Sequence, residues 1–173
     1  TTCMNCGQCV IACPTGALKT RQDTEIILNL LSDPAKYLVV QIAPSVRVTL
    51  GEEFGLKPGT IVTGKLINAL KILGFKKVFD TNTGADLTIL EECHEFLERL
   101  TAGKNLPLIT SCCPGWVKYA EHFYQPLLKN LSSCKSPQQM CGSMNKWYFG
   151  PQKHLKPKDI INVAIMPCCA KKF

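Results

Sequence analysis

KYLVVQIA, residues 36–43, decides the architecture. It is a continuous apolar run of β-type residues that closes on Ala43, Pro44 and Ser45. A strand buried on both faces reads as an unbroken apolar run, whereas a half-exposed strand alternates. Working outward, KKVFDT (76–81), PLIT (107–110) and DIINVAIM (159–166) have the same character. Helical patterns separate them. TEIILNLLS (24–32) follows Asp23 as N-cap, and Ser45 is a candidate N-cap for a helix through about Phe54, stopped by Gly55. Ile61, Leu66, Ala69, Leu70 and Leu73 recur near helical period within 59–73, and Gly74 follows as the stop. ADLTILEECHEFLERL (85–100) is a strongly amphipathic helix ending around Gly103. Further helices are expected from Trp116 to Tyr124, after Pro114, and from Ser136-Pro137 to about Phe149. Strands alternating with helices give an α/β fold, a parallel sheet with flanking helices.

Ligands of such sheets bind beyond the carboxyl ends of the strands. Here the four strand ends lead into Ala43-Pro44-Ser45, Thr81-Asn82-Thr83-Gly84, Ser111-Cys112-Cys113-Pro114 and Met166-Pro167-Cys168-Cys169. Both Cys-Cys pairs are therefore expected at one edge of the sheet, as half of a four-cysteine cluster site or as a redox pair. Neither has the C-x-x-C spacing of disulfide exchange. Buried structural thiols are the plainer alternative.

The chain has 11 cysteines in 173 residues, an odd number, and no signal peptide, which points to metal ligands and away from a secreted disulfide framework. Four of them, Cys3, Cys6, Cys9 and Cys13, stand in CMNCGQCVIACP. This C-x2-C-x2-C-x3-C-P spacing resembles bacterial ferredoxins, in which tightly spaced thiolates wrap a [4Fe–4S] cube. Gly7 permits the turn, and Pro14 ends the run without an N–H needing a partner. Zinc would call for two separated knuckles. In such runs the fourth cysteine serves the other cluster of a two-cluster unit. Residues 1–20 thus read as the C-terminal part of a bacterial ferredoxin-like [4Fe–4S] module, and residues 21–173 as an α/β domain. The missing partner ligands make the chain read as an internal piece of a longer protein.

Composition excludes other classes. At 46% hydrophobic and 19% charged the chain is globular, not disordered or coiled coil. No apolar run approaches the ~20 residues of a membrane helix. A net charge of +7 comes without a basic run or a nucleic-acid motif, so no nucleic acid is expected. His94, His122 and His154 lack partner spacing and are not expected to ligate metal. Trp116 and Trp147 read as core or half-buried anchors.

TSCCPGW (110–116) and MPCCAKK (166–172) resemble the first two signature segments of the [FeFe]-hydrogenase catalytic domain, and IAPS (42–45) and SPQQ (136–139) fit the same family. The resemblance covers essentially the whole chain. It implies reversible reduction of protons to H2 at an H-cluster, a [4Fe–4S] cube bridged to a two-iron subcluster with CO, cyanide and dithiolate ligands. Carried over by position, Cys113 and Cys168 are cube ligands and Cys112 is the thiol that exchanges protons with the dithiolate bridge. Lys171 bonds a cyanide through its ammonium, while Ala43, Pro44, Ser45 and Met166 line the two-iron pocket. The implied proton route takes in Glu92 and Glu95, with Arg99 at its outer end and Ser132 nearer the metal. On a helix Glu92 and Glu95 are i, i+3 neighbours and Glu95 and Arg99 are i, i+4, so they share a face. The same triplet also reads as a solvated face with a surface ion pair.

The family's third segment, which supplies the other two cube cysteines, is not in the sequence. Cys93, Cys134 and Cys141 read as structural or incidental, and Cys169 is left open as a substitute ligand. The resemblance implies a ferredoxin or similar acidic electron carrier as partner, and a basic docking surface fits that. It also implies a cytoplasmic or hydrogenosome-type location. Two other functions stay in view, an iron–sulfur assembly scaffold without the two-iron centre and an H2-sensing homologue. A scaffold has no need of Cys112, Lys171 and the proton-route carboxylates.

Overall fold

The computed structural model describes residues 2–172. Thr1 and Phe173, which end the two expected domains, lie outside the described residues. The described chain forms two compact units, one built from Gln22–Ala85 with Pro137–Pro167, the other from Asp86–Ser136 with the segments before Gln22 and after Pro167.

The first unit holds the sheet. Its strands are β1 (Tyr37–Ile42), β2 (Lys77–Asp80) and β3 (Ile160–Ile165), all parallel, in the order β2-β1-β3. The run at 36–43 is the central strand, as its two-sided apolarity requires, and Val39, Val40 and Gln41 are fully buried. Val40 pairs in register with Val78 on one side and Val163 on the other. Leu38, Val40 and Ile42 form one core face with Leu66, Leu70 and Phe75. Against it pack Ile27, Leu30 and Leu31 of α2 (Thr24–Leu31), which follows the short α1 (Gln8–Ala12) of the other unit. Each such side chain taken fully out of water contributes about 1.5–3 kcal/mol.

After β1 the backbone turns into α3 (Val46–Thr49), a short 3-10 turn at Glu52–Phe54, and α4 (Thr63–Ile72). Gly55 takes the left-handed conformation, φ 74°, that ends the turn. The buried stripe of α4 is Leu66 and Leu70, one turn apart, with Val62 just ahead of it, while Ile61 and Leu73 are exposed. Two expectations need correction. Residues 81–84 are not a loop, because α5 runs Thr81–Ala102. Asp80 starts it, its Oδ1 accepting the Asn82 N–H at 2.9 Å in the manner of an N-cap. PLIT is not a sheet strand. Ile109 makes an isolated parallel bridge with Leu131, its N–H donating to Asn130 O and its carbonyl accepting from Ser132 N. Those bonds and Pro107, which has no N–H to give, keep the segment with its own unit. The sheet therefore has three strands, and the strand-end argument for Cys112 and Cys113 falls away.

The second unit carries α6 (Pro114–Phe123), opened by a proline at its first position, and a 3-10 stretch Gln125–Asn130. In the first unit α7 (Pro137–Met144) continues into a π-helical turn, Asn145–Phe149. Trp116 is half-buried as expected, but Trp147 is 72% exposed. No helix among the described residues is long and apolar enough to cross a membrane.

Candidate metal centre and proton route

Cys3, Cys6, Cys9 and Cys13 are all free thiols in the second unit, and the remaining seven cysteines are free thiols too, Cys141 in the first unit and the others in the second. Gly7 has φ 80° and opens α1, so that Cys9 lies within the helix and Cys13 at its C-cap. An added Cβ on Gly7 would lie 2.9 Å from Cys169 Sγ, so only glycine fits at this place in the run. Cys13 lies 3.5 Å from Thr15 Oγ1. That hydrogen bond and backbone N–H groups of Leu18, Thr15 and Ala17 outweigh desolvation and lower its thiol to about 7. A thiol so placed ionises readily, as a metal ligand must.

The loop bearing Cys112 and Cys113 leads into α6, with Cys113 extended and exposed and Cys112 half-buried. Of the other pair, Cys169 opens a tight turn, Cys169–Lys172, and Cys168 stands just before it, and both thiols are half-buried. The two segments meet, since Lys171 Nζ donates to Cys112 O at 2.8 Å. An added Cβ on Gly115 would lie 3.8 Å from Met4 O and 4.0 Å from Ala170 Cβ, so the first cysteine run lies against them too.

Do these residues fit iron–sulfur clusters? Among the described residues, no three His, Cys, Asp or Glu side chains converge as for a single ion. A cube needs no such convergence, because each thiolate binds its own iron. Trp116 Nε1 is buried and has no hydrogen-bond partner among the described residues, three positions after Cys113. An N–H left so costs about 1–3 kcal/mol, and a cluster sulfur or ligand thiolate is the acceptor that would relieve it. Free thiols, the Gly7 turn and this orphaned donor fit clusters.

Glu95 is the hub of the carboxylate face. Its Oε1 accepts from Arg99 Nη2 at 2.6 Å, its Oε2 from Ser132 Oγ at 2.8 Å, and both oxygens from Ser133 N at 3.2 Å. Burial pushes the carboxyl up, but the bonds from Ser132, Ser133 and Arg99 outweigh it and hold Glu95 below its ordinary range. Arg99 is fixed in turn by the carbonyls of Asn105, Asn130 and Leu131. The solvated-face alternative fits poorly, since Glu95 and Arg99 side chains keep only 17% and 14% of their surface. His94 and Glu98, on the same helix, are the exposed surface pair.

Glu92, Glu95 and Arg99 thus share one face, and Ser132 joins them. No hydrogen bond among the described residues reaches from this set to the Cys112 thiol. The sequence reading missed the residues that bridge the interval. Ser132 Oγ accepts from Cys134 N at 3.1 Å, and Cys134 O accepts from Ser111 Oγ at 3.3 Å, which brings the chain of contacts to the neighbour of Cys112. Burial first, then the charges of Glu92, Glu91 and Glu95, raise the Cys134 thiol. Cys134 is therefore placed beside the carboxylates of the α5 face, where only the Ser-Ser-Cys string hinted at it.

In the first unit, Ala43 and Met166 stand side by side at the carboxyl ends of β1 and β3, where Ala43 N donates to Ile165 O at 3.0 Å. From β1 the chain goes to β2 on one side, while β3 returns on the other, so this is the switch point of the sheet. Ala43 is buried, whereas Pro44 and Ser45 are exposed. Beneath lies a polar network that the sequence did not announce. Gln41 Nε2 donates to Gln138 O at 3.0 Å, Thr81 Oγ1 donates to Gln41 Oε1 at 3.2 Å, and Asn145 Nδ2 donates to Asn162 Oδ1 at 2.6 Å. Gln41 fixes the start of α7 and Thr81 the start of α5.

Residues 36–173 match the C-terminal domain of the iron-only hydrogenase large subunit, and residues 1–19 match a 4Fe-4S binding domain. The chain is 49% identical to the NADP-reducing hydrogenase subunit HndD of Solidesulfovibrio fructosivorans, across 100% of this chain and 31% of that protein. It is 35% identical to the cytosolic iron-sulfur assembly component 3 of Bos taurus, across 99% of this chain and 38% of that one. A variant of the apo [FeFe]-hydrogenase from Chlamydomonas reinhardtii superposes with a TM-score of 0.82 at 45% identity, over 88% of this chain and 39% of the other. The chain spans about a third of the length of these relatives.

Proposed function

The chain belongs to the iron-only hydrogenase large-subunit family, and we propose that its parent protein catalyses the reversible reduction of two protons by two electrons to H2. The expected H-cluster supplies the iron site at which protons and electrons combine. Cys113 and Cys168 would hold half of the ligands of its cube, and Lys171 would bond a cyanide, its ammonium already held 2.8 Å from Cys112 O. Ala43, Pro44, Ser45 and Met166 would supply the walls of the two-iron pocket from the ends of β1 and β3. Electrons would enter through clusters held by Cys3, Cys6, Cys9 and Cys13, from ferredoxin or a similar acidic carrier.

The observation that carries this reading is the Glu95 hub, in which a carboxylate, a hydroxyl and a guanidinium are in direct contact. Proton transfer needs donors and acceptors within hydrogen-bond reach of one another. Glu95 would exchange the proton with Ser132 Oγ at 2.8 Å, and water would carry it on toward Cys112, because Cys134 joins Ser132 to Ser111 only through its backbone N–H and carbonyl. Ser111, bonded to Cys134 O, lies beside Cys112, the last donor. Glu92 belongs to the same face, its charge adding to the burial that raises the Cys134 thiol.

A scaffold for iron–sulfur assembly is the second reading, favoured by the similarity to an assembly component. The test is Cys112→Ala in the matured parent protein. Turnover is expected to be lost while the cube spectrum stays. Unchanged H2 production would refute the role of Cys112, and a parent that loads cubes yet never evolves or consumes H2 would favour the scaffold. A parent that binds H2 without turnover would instead be a sensor.

A further inference from the structure

We propose that Cys169 is a positioning residue whose thiol hydrogen-bonds the cluster held by Cys3, Cys6 and Cys9 and raises its reduction potential. The inference rests on the cluster assignment proposed above and concerns a residue that assignment leaves without a role. Three observations in the second unit carry it. The Cys169 sulfur lies 2.9 Å, and its Cβ 3.2 Å, from where a Cβ on Gly7 would be. Gly7 stands between Cys6 and Cys9, inside the ligand run, so the thiol is aimed at the backbone that wraps the cluster. Cys169 is half-buried and its thiol makes no hydrogen bond to any described residue, so a donor is placed there without a protein acceptor. The turn that carries it, Cys169–Lys172, is tied back at both of its lysines, Lys171 Nζ to Cys112 O and Lys172 Nζ to Arg21 O at 2.7 Å. The two anchors, two and three residues after Cys169, hold the turn beside the run.

An S–H group is a weak donor, and sulfurs of a cluster are acceptors. Hydrogen bonds to those sulfurs are among the factors that set a cluster's potential, because they stabilise the more negative, reduced form. A single weak donor therefore raises the reduction equilibrium without altering ligand number. Because Cys168 comes just before the turn, adjacent residues would supply a cube ligand and the donor to the electron-entry cluster.

The test uses the full parent protein with its clusters reconstituted, and reads the midpoint potential of the N-terminal cluster by EPR-monitored titration. Cys169→Ala should lower the reduction equilibrium constant about threefold to tenfold, the upper end being about 59 mV for one electron. Iron content should stay unchanged, and Cys169→Ser, which keeps a donor, should restore the potential to within a factor of about two. An unshifted potential in Cys169→Ala overturns the proposal, and so does loss of iron, which would make Cys169 a ligand. If the unaltered parent shows no [4Fe–4S] signal from the first run, the cluster assignment itself fails, and that failure is separate.

Discussion

Glu95→Gln tests whether the hub is an ionised relay or a packed polar contact. The side chain keeps its shape but loses its charge and one acceptor oxygen. Three donors converge on the carboxylate, from Arg99 at 2.6 Å, Ser132 at 2.8 Å and Ser133 at 3.2 Å. Hydrogen bonds to a charged group are worth about 1.5–3 kcal/mol and neutral ones about 0.5–1.5 kcal/mol, so each of the two short bonds loses about 1 kcal/mol. The expected cost is about 2 kcal/mol. That lies below the roughly 3–5 kcal/mol for breaking a fully buried pair, as befits side chains that keep 14% and 17% of their surface in water. For a chain of 173 residues it corresponds to a fall of roughly 4–8 °C in the thermal midpoint, read by circular dichroism. The sign with pH follows from the lowered carboxyl. A group whose folded pKa lies below its unfolded value contributes in full above the unfolded value, about 4.3 for glutamate, and loses that contribution as pH falls through the folded value. The gap between the two proteins should be complete at pH 7 and close below about pH 4. In the parent, turnover should drop about 10²–10⁴-fold. A midpoint shift under 1 °C, or a gap indifferent to pH, would refute the ionised hub. A full stability loss with normal turnover would leave the hub structural and remove Glu95 from the proton route.

The first unit offers two sharper tests of packing, and the surface offers one of docking. In Gly84→Ala the new Cβ would collide with Pro137 O and lie 3.0 Å from Cys141 N, both backbone atoms, so about 1–3 kcal/mol should be lost despite the better helix propensity of alanine. A neutral or stabilised variant in a melting experiment would show that α5 and α7 separate easily. Gln41→Leu removes the donor to Gln138 O and the acceptor of the Thr81 hydroxyl at a fully buried position, and should cost about 1–3 kcal/mol by denaturant midpoint with the slope unchanged. Ferredoxin-linked turnover of the parent should slow as ionic strength rises through about 0.15 M, where screening reaches about 8 Å. Rates indifferent to salt would dispose of a docking surface built on the +7 charge.

The central strand was legible because burial on both faces leaves a one-dimensional trace, an apolar run too short for a helix and bounded by turn residues. β3 and β2 were legible for related reasons. PLIT has the same local trace, but what decides sheet membership is the partner of its backbone groups, and Asn130 and Ser132 take them. That partner lies more than 20 positions away and has no signature of its own. The start of α5 was misread for the opposite reason. Thr81, Asn82, Thr83 and Gly84 are turn formers by propensity, and one hydrogen bond from Asn82 N to Asp80 Oδ1, with the close packing that only Gly84 allows, converts them to helix.

For the candidate site, residue types were legible and connections were not. Glu95 and Arg99 were readable as helix neighbours because their spacing is local. Ser111 and Cys134 were not, because the contacts that join them to Ser132 run through the N–H and carbonyl of Cys134, backbone groups that every residue possesses. The cysteine pairs show the limit most clearly. A vicinal pair reads as one feature, yet Cys113 lies in extended backbone, where neighbouring side chains point to opposite faces. Cys112 and Cys113 are therefore poorly placed to serve one iron together, which suits a division into a proton donor and a ligand. Cys168 and Cys169 divide differently. Cys169 starts a 3-10 turn and its sulfur is directed at Gly7, so the second pair addresses the first cysteine run and not only its own loop. Two identical dipeptides thus acquire four distinct environments, each fixed by a backbone conformation and one contact. Substitution of the four one at a time, with iron content and potential read separately, would resolve roles that the shared Cys-Cys spelling hides.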